Sequence, residues 1–189
     1  MLKRIIEETS GAVVAAVKGV DDILSAITGT VKNQVVSVLK GAGEVGSSTV
    51  ESVASVASGA VKGAGEVGTS VTETAANTVS GAVKGVVEVG GNVIDGVRGG
   101  VHGVVQATAE TGGDVGGAAV SAVRGAIKAA GDAGADTADA TKAAVSGALD
   151  AATAVGGSAV ETVRNALLST AELPRDLVES AIKGSDKDQ

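Results

Sequence analysis

The chain has 189 residues, enough for one or two domains, yet it holds no Phe, Tyr, Trp or Cys and has 29 glycines. No cysteine means no disulfide, no thiol nucleophile and no thiolate metal site. A core without aromatics must be filled by Val and Ala, each of which buries less surface than Leu or Phe. The formal charge is −7 with dispersed basic residues, so the basic footprint of a nucleic-acid binder is missing.

Residues 1–18 read as an amphipathic lead-in. Met1-Leu-Lys-Arg opens like the basic start of a signal peptide, but Glu7 and Glu8 interrupt it. No apolar stretch with a cleavage site follows, so a secretory signal is not indicated. Uncharged runs along the chain stop at about ten residues, short of the roughly 20 a spanning helix needs. The expected location is cytoplasmic or peripheral to a membrane.

Residues 19–172 form seven units of 22 residues. Gly41-Ala-Gly-Glu-Val-Gly46 recurs as Gly63-Ala-Gly-Glu-Val-Gly68 and decays through Gly85-Val-Val-Glu-Val-Gly90, Ala107-Thr-Ala-Glu-Thr-Gly112 and Ala129-Ala-Gly-Asp-Ala-Gly134. An imperfect unit starts at Gly19 and the last at Ala151. Such a period marks a repeat protein, in which each unit completes its core against its neighbours.

Within the unit at residue 85 the apolar positions are Val86, Val89, Val93, Val97, Val101, Val104 and Val105. Steps of three and four residues are helical spacing, not strand alternation. Six turns in 22 residues is about 3.67 per turn, the 11-residue period that keeps one stripe in phase along a very long helix. Val86, Val89, Val93, Val97, Val101 and Val104 are the expected lipid or partner face. Lysines four residues before acids, as in Lys40–Glu44, Lys62–Glu66 and Lys84–Glu88, read as ordinary pairing on the solvated side.

A third stripe is small. Gly59-Ala-Val-Lys-Gly63 and Gly81-Ala-Val-Lys-Gly85 place Gly59, Gly63, Gly81 and Gly85 on a ridge that lets another helix backbone come close. These four are the expected helix–helix contact.

The fold class is therefore all-α, built from long amphipathic Gly/Ala-rich helices packed in an oligomer. An up-and-down array of short helices is the alternative. It rests on the glycine ending each motif, which could close a helix, and on cap-like pairs after it: Ser48/Glu51, Ser70/Glu73, Asn92/Asp95, Asp136/Asp139 and Ser158/Glu161. A β-solenoid is a third option, because Val, Gly and Thr suit strands. Pro174, the sole proline, breaks the pattern before a short final helix in 173–189, which ends in a polar tail.

Chemistry is hard to find. Gly41-x-Gly-x-x-Gly46 and Gly63-x-Gly-x-x-Gly68 match the dinucleotide fingerprint, but no strand precedes them and the repeat erodes the pattern. His102, the only histidine, sits on a mixed polar edge and reads as solvated. Glu88 and Asp95 lie seven residues apart, on one face of a continuous helix, but recur with flanking lysines like a surface. No catalytic, cofactor or metal residues are assigned.

The stretches 81–89 (Gly-Ala-Val-Lys-Gly-Val-Val-Glu-Val) and 101–111 (Val-His-Gly-Val-Val-Gln-Ala-Thr-Ala-Glu-Thr) resemble synucleins, and more distantly the exchangeable apolipoproteins and late-embryogenesis-abundant proteins. The likeness covers 19–172 and is one of period and composition. It implies a chain that is loose in solution and turns helical on lipid or on drying. The expected function is a non-enzymatic structural protein that coats lipid or hydrophobic surfaces and self-associates. A lipid-free filament and a desiccation-protective chain are the alternatives. The expected partners are further copies of itself and a membrane surface, with no nucleic acid and no cofactor.

Overall fold

The computed structural model describes residues 2–17, 23–42 and 49–185. The described residues form nine α-helices and no strand: α1 Leu2–Val17, α2 Ile23–Ala42, α3 Thr49–Glu66, α4 Val71–Glu88, α5 Val93–Glu110, α6 Val115–Asp132, α7 Thr137–Val155, α8 Gly157–Ser169 and α9 Arg175–Ser185. The all-α class stands, but in the form of the array. The expected continuous helix and the β-solenoid are both set aside.

The glycine closing each motif is the reason. Gly68, Gly90, Gly112 and Gly134 have φ between 71° and 76°, the left-handed region that glycine enters without penalty. At the second of these, Gly90 N–H donates to the Val87 carbonyl at 3.0 Å and Gly91 N–H to that of Val86 at 2.9 Å. This is the Schellman closure of a helix C-terminus. It recurs with Gly112/Gly113, Gly134/Ala135 and Gly68/Thr69. Side chains then start the next helix. Asn92 accepts from Ile94 N–H, Asp114 from Gly117 N–H, and Asp136 from Ala138 and Asp139 N–H. Ser70 holds the cap position of α4 without a side-chain cap bond, and Ser158 falls inside α8, which Gly156 precedes. Ser48 lies outside the described residues. Pro174 stands just before α9, and its carbonyl accepts from Leu177 and Val178 N–H.

Tight turns make consecutive helices antiparallel, and each helix packs most extensively on the helix two places earlier. The result is two layers, α1/α3/α5/α7/α9 and α2/α4/α6/α8, with the apolar stripes between them. Val79, Val83, Val97, Val101, Val104 and Val105 are fully buried there, each contributing about 1.5–3 kcal/mol of burial.

Within a layer the helices meet through glycine. Gly59 and Gly63 of α3 lie on Ile6 and Ser10 of α1, and Gly81 and Gly85 of α4 on Thr28 and Lys32 of α2. Further along, Gly99 and Gly103 lie on Val50 and Ala54, Gly125 on Ala76 and Gly147 on Arg98. A Cβ on Gly59 would stand 2.5 Å from the Ile6 carbonyl oxygen and one on Gly81 2.6 Å from that of Thr28. The close approach of backbones requires these glycines.

Candidate functional site

The odd layer carries an open groove of about 630 Å³. Its floor is α3, where Ala54, Ser55 and Ser58 form a low outer ridge. Leu2 and Ile6 of α1 make one wall. Arg98, His102 and Gln106 of α5, with Asp150 of α7, make the other. The trough has a simple origin. Ser58 occupies in α3 the place that His102 has in α5, two units of 22 residues on. A short side chain stands where the next helix has a long one.

The polar wall is organised. Arg98 Nη2 lies 2.6 Å from Asp150 Oδ2, joining α5 to α7. Both side chains are partly exposed, so the pair adds only about 0–1 kcal/mol to stability, but it fixes where the charges stand. Gln106 donates to Glu110 Oε1 at 3.1 Å. His102 lies between these groups. Burial pushes its imidazole below the usual value, and the Arg98 charge adds to that. The Asp150 charge and hydrogen bonds with the Gly147 backbone and Gln106 oppose it. His102 is half-buried and lines the groove, so its expected solvated edge is corrected. Sequence reasoning missed the groove because its residues come from helices far apart in the chain.

The six valines of the expected lipid face are divided. Val86, Val97, Val101 and Val104 have no exposure, and Val89 and Val93 are half-buried. In this fold the buried four pack on the protein's own helices. Gly59, Gly63, Gly81 and Gly85 sit against α1 and α2 of the same chain. Glu88 and Asp95 are in different helices, so they do not share a helical face. Of the fingerprint glycines, Gly63 is packed on α1 and Gly68 makes a turn. Gly43 and Gly46 lie outside the described residues.

The expected local ion pairs are largely replaced by pairs that link helices within a layer. Lys62 reaches Glu110 at 2.8 Å, leaving Glu66 to accept from Ser10. Glu88 pairs with Lys32 at 2.9 Å instead of Lys84. The Lys32 hydrogen bond and charge hold the Glu88 carboxyl below the ordinary carboxylate value. Arg124 of α6 pairs with Glu172 in the turn between α8 and α9. Lys128–Asp132, at 2.9 Å, is a local pair that does form, and Glu44 lies outside the described residues. Among the described residues no group of three or more His, Asp or Glu is placed to hold a metal, and no helix is long and apolar enough to cross a membrane. The chain matches no protein-family model, and no curated protein is similar to it.

Proposed function

We propose that this chain is a non-enzymatic structural protein, a stack of helical repeats that holds a partner along the odd layer. The observation that carries the reading is the groove itself. It lies on helices, so its walls are rigid, and it sets Leu2, Ile6, Val50 and Ala54 opposite Arg98, His102 and Asp150. Arg98 and Asp150 pair within the polar wall. An amphipathic segment, with one apolar and one polar face, fits that surface. The single histidine is the reporter. Titrating a designed amphipathic peptide should shift the His102 ring-proton resonance, and a scrambled peptide of the same composition should not. Filling the floor with Ser55→Leu and Ser58→Leu should abolish the shift. No shift with either peptide, or equal shifts from both, would overturn the reading.

A second reading is a coat on lipid or another hydrophobic surface. It is supported by the complete apolar stripe on each helix and by the glycine turns that join the helices. Because the stripe is buried, the layers must part at those turns, leaving each helix whole. Lipid interaction then scales with apolar area. The lack of cysteine lets fluorophores be placed on Lys84→Cys in the even layer and Lys142→Cys in the odd layer, both exposed. Energy transfer between them should fall on adding phospholipid vesicles if the chain opens. Unchanged transfer in vesicle-bound protein would eliminate the opening.

A further inference from the structure

The stack has one seam that differs from the rest, between the α1/α2 pair and the α3/α4 pair. Its glycine seating is the common one: Gly81 rests on Thr28 as Gly125 does on Ala76, and Gly59 rests on Ile6 as Gly103 does on Ala54. The difference lies in what fills it.

Its interior is separate. The side chains of α1 and α2 pack with one side of α3 and α4 in a cluster of their own, through Ile5, Val13, Ile27, Val31 and Val35. A second cluster fills the rest of the stack. Finally, the seam is imperfect in its polar groups. The hydroxyls of Thr9, Ser52 and Thr78 are buried without a hydrogen-bond partner. Thr9 lies under Gly59. Ser52 precedes Gly59 by seven residues, and Thr78 precedes Gly85 by seven, so each shares its helix face with a seam glycine. Two units on from Ser52 and Thr78, the equivalent positions are Gly96 and Ala122, which have nothing to satisfy. A buried hydroxyl left unpaired is unfavourable, so this seam carries a cost that those later positions do not.

We propose that the α1/α2 pair is an exchangeable unit, and that the surface of α3 and α4 beneath it accepts the α1/α2 pair of a second copy. The seat is backbone resting on glycine, filled by Ile6, Thr9 and Ser10 of α1 and by Thr28, Val31 and Val35 of α2. Another copy of the chain is the other source of the same surface. Exchange remakes every contact of the closed form, the usual low-cost route to a dimer. This inference does not depend on the groove.

The ion pairs provide the test. Lys32 Nζ and Glu88 Oε2, 2.9 Å apart, span the seam from α2 to α4. Lys62 Nζ and Glu110 Oε2, 2.8 Å apart, span the next one from α3 to α5. Equal amounts of ¹⁵N-labelled and unlabelled full-length protein are unfolded together, refolded at high concentration and separated by gel filtration. The dimer fraction is joined with a zero-length carbodiimide cross-linker and digested. About half of the Lys32–Glu88 cross-linked peptides should carry mixed labels, because the two copies pair at random. The Lys62–Glu110 peptides should stay uniform. Absence of a dimer, or uniform Lys32–Glu88 peptides within it, overturns the proposal. Mixing at both pairs overturns its location. The triple variant Thr9→Val, Ser52→Ala, Thr78→Val removes the unpaired hydroxyls and should lower the dimer fraction about fivefold or more. An unchanged fraction would overturn the unpaired hydroxyls as the origin of exchange.

Discussion

Gly103 of α5 rests on the backbone of Ala54 in α3, with the position of its absent side chain turned at the Ala54 carbonyl. A glycine inside a helix is ordinarily a weakness of about 1 kcal/mol relative to alanine. Here it is the condition for contact. Gly29 of α2 is the converse, with nothing within 4 Å of a Cβ built on it.

The two glycines should therefore respond oppositely to the same change. Gly103→Ala should lower stability by about 1–3 kcal/mol, because the layer must spread. Gly29→Ala should raise it by up to about 1 kcal/mol through helix propensity. Urea unfolding monitored by circular dichroism measures both. A stabilised Gly103→Ala would mean that α3 and α5 are not in backbone contact within their layer.

The turns carry a second expectation. Gly90 has φ 72°, so Gly90→Ala should lose about 1–2 kcal/mol to left-handed strain. Gly90→Asn should lose less, since Asn tolerates this region. Equal losses would show that the turn resists any side chain, whatever its conformational preference.

Asp136 predicts a pH effect. Backbone N–H groups of Asp139 and Ala138 hold its carboxyl below the ordinary aspartate value. A depressed acid stabilises the fold above its unfolded value, and that contribution is lost as pH falls through the folded value. The melting temperature of Asp136→Ala should therefore lie below wild type near pH 7, with the gap closing at acidic pH. Asp136→Asn should keep the cap while losing this part of the pH dependence. A constant gap across the titration would remove the charged cap from the explanation.

His102 works in the other part of the range. Its folded value is lowered, chiefly by burial. As pH falls below the unfolded value, about 6.5, the unfolded chain takes up a proton that the folded chain refuses. Stability should therefore fall between neutral pH and the folded value, then level off. The ring-proton titration of this one histidine should have its midpoint below 6.5. His102→Gln should flatten the melting temperature over the same interval. A midpoint above 6.5 would mean that Asp150 outweighs burial.

Much of this architecture is visible in the chain before folding. The three- and four-residue steps from Val86 to Val104 give helices, and Pro174 marks the last boundary. The choice between one long helix and many short ones is less accessible. Val89 to Val93 keeps a four-residue step whether the helix continues or reverses, because each unit presents one stripe in either case. Only the Gly90 conformation separates the two. The groove is less visible still. Nothing near His102 in sequence announces Asp150 or Leu2, since their meeting depends on which helices share a layer. Ion pairs fail for the same reason: Lys62 has Glu66 one turn away, but layer packing brings Glu110 to it.

Because each helix leans on the one two places back, the fold is a pair of ladders climbed alternately by a single thread. Parity then matters more than length. Removing one 22-residue unit sends every later helix to the opposite ladder, and α9, which belongs beside α7, arrives on the wrong side. Removing two units leaves each remaining rung on its own ladder. Growth or shrinkage of such a chain therefore proceeds by even steps, and a unit of two helices, not one, is what duplication can add without rewriting the contacts of everything downstream.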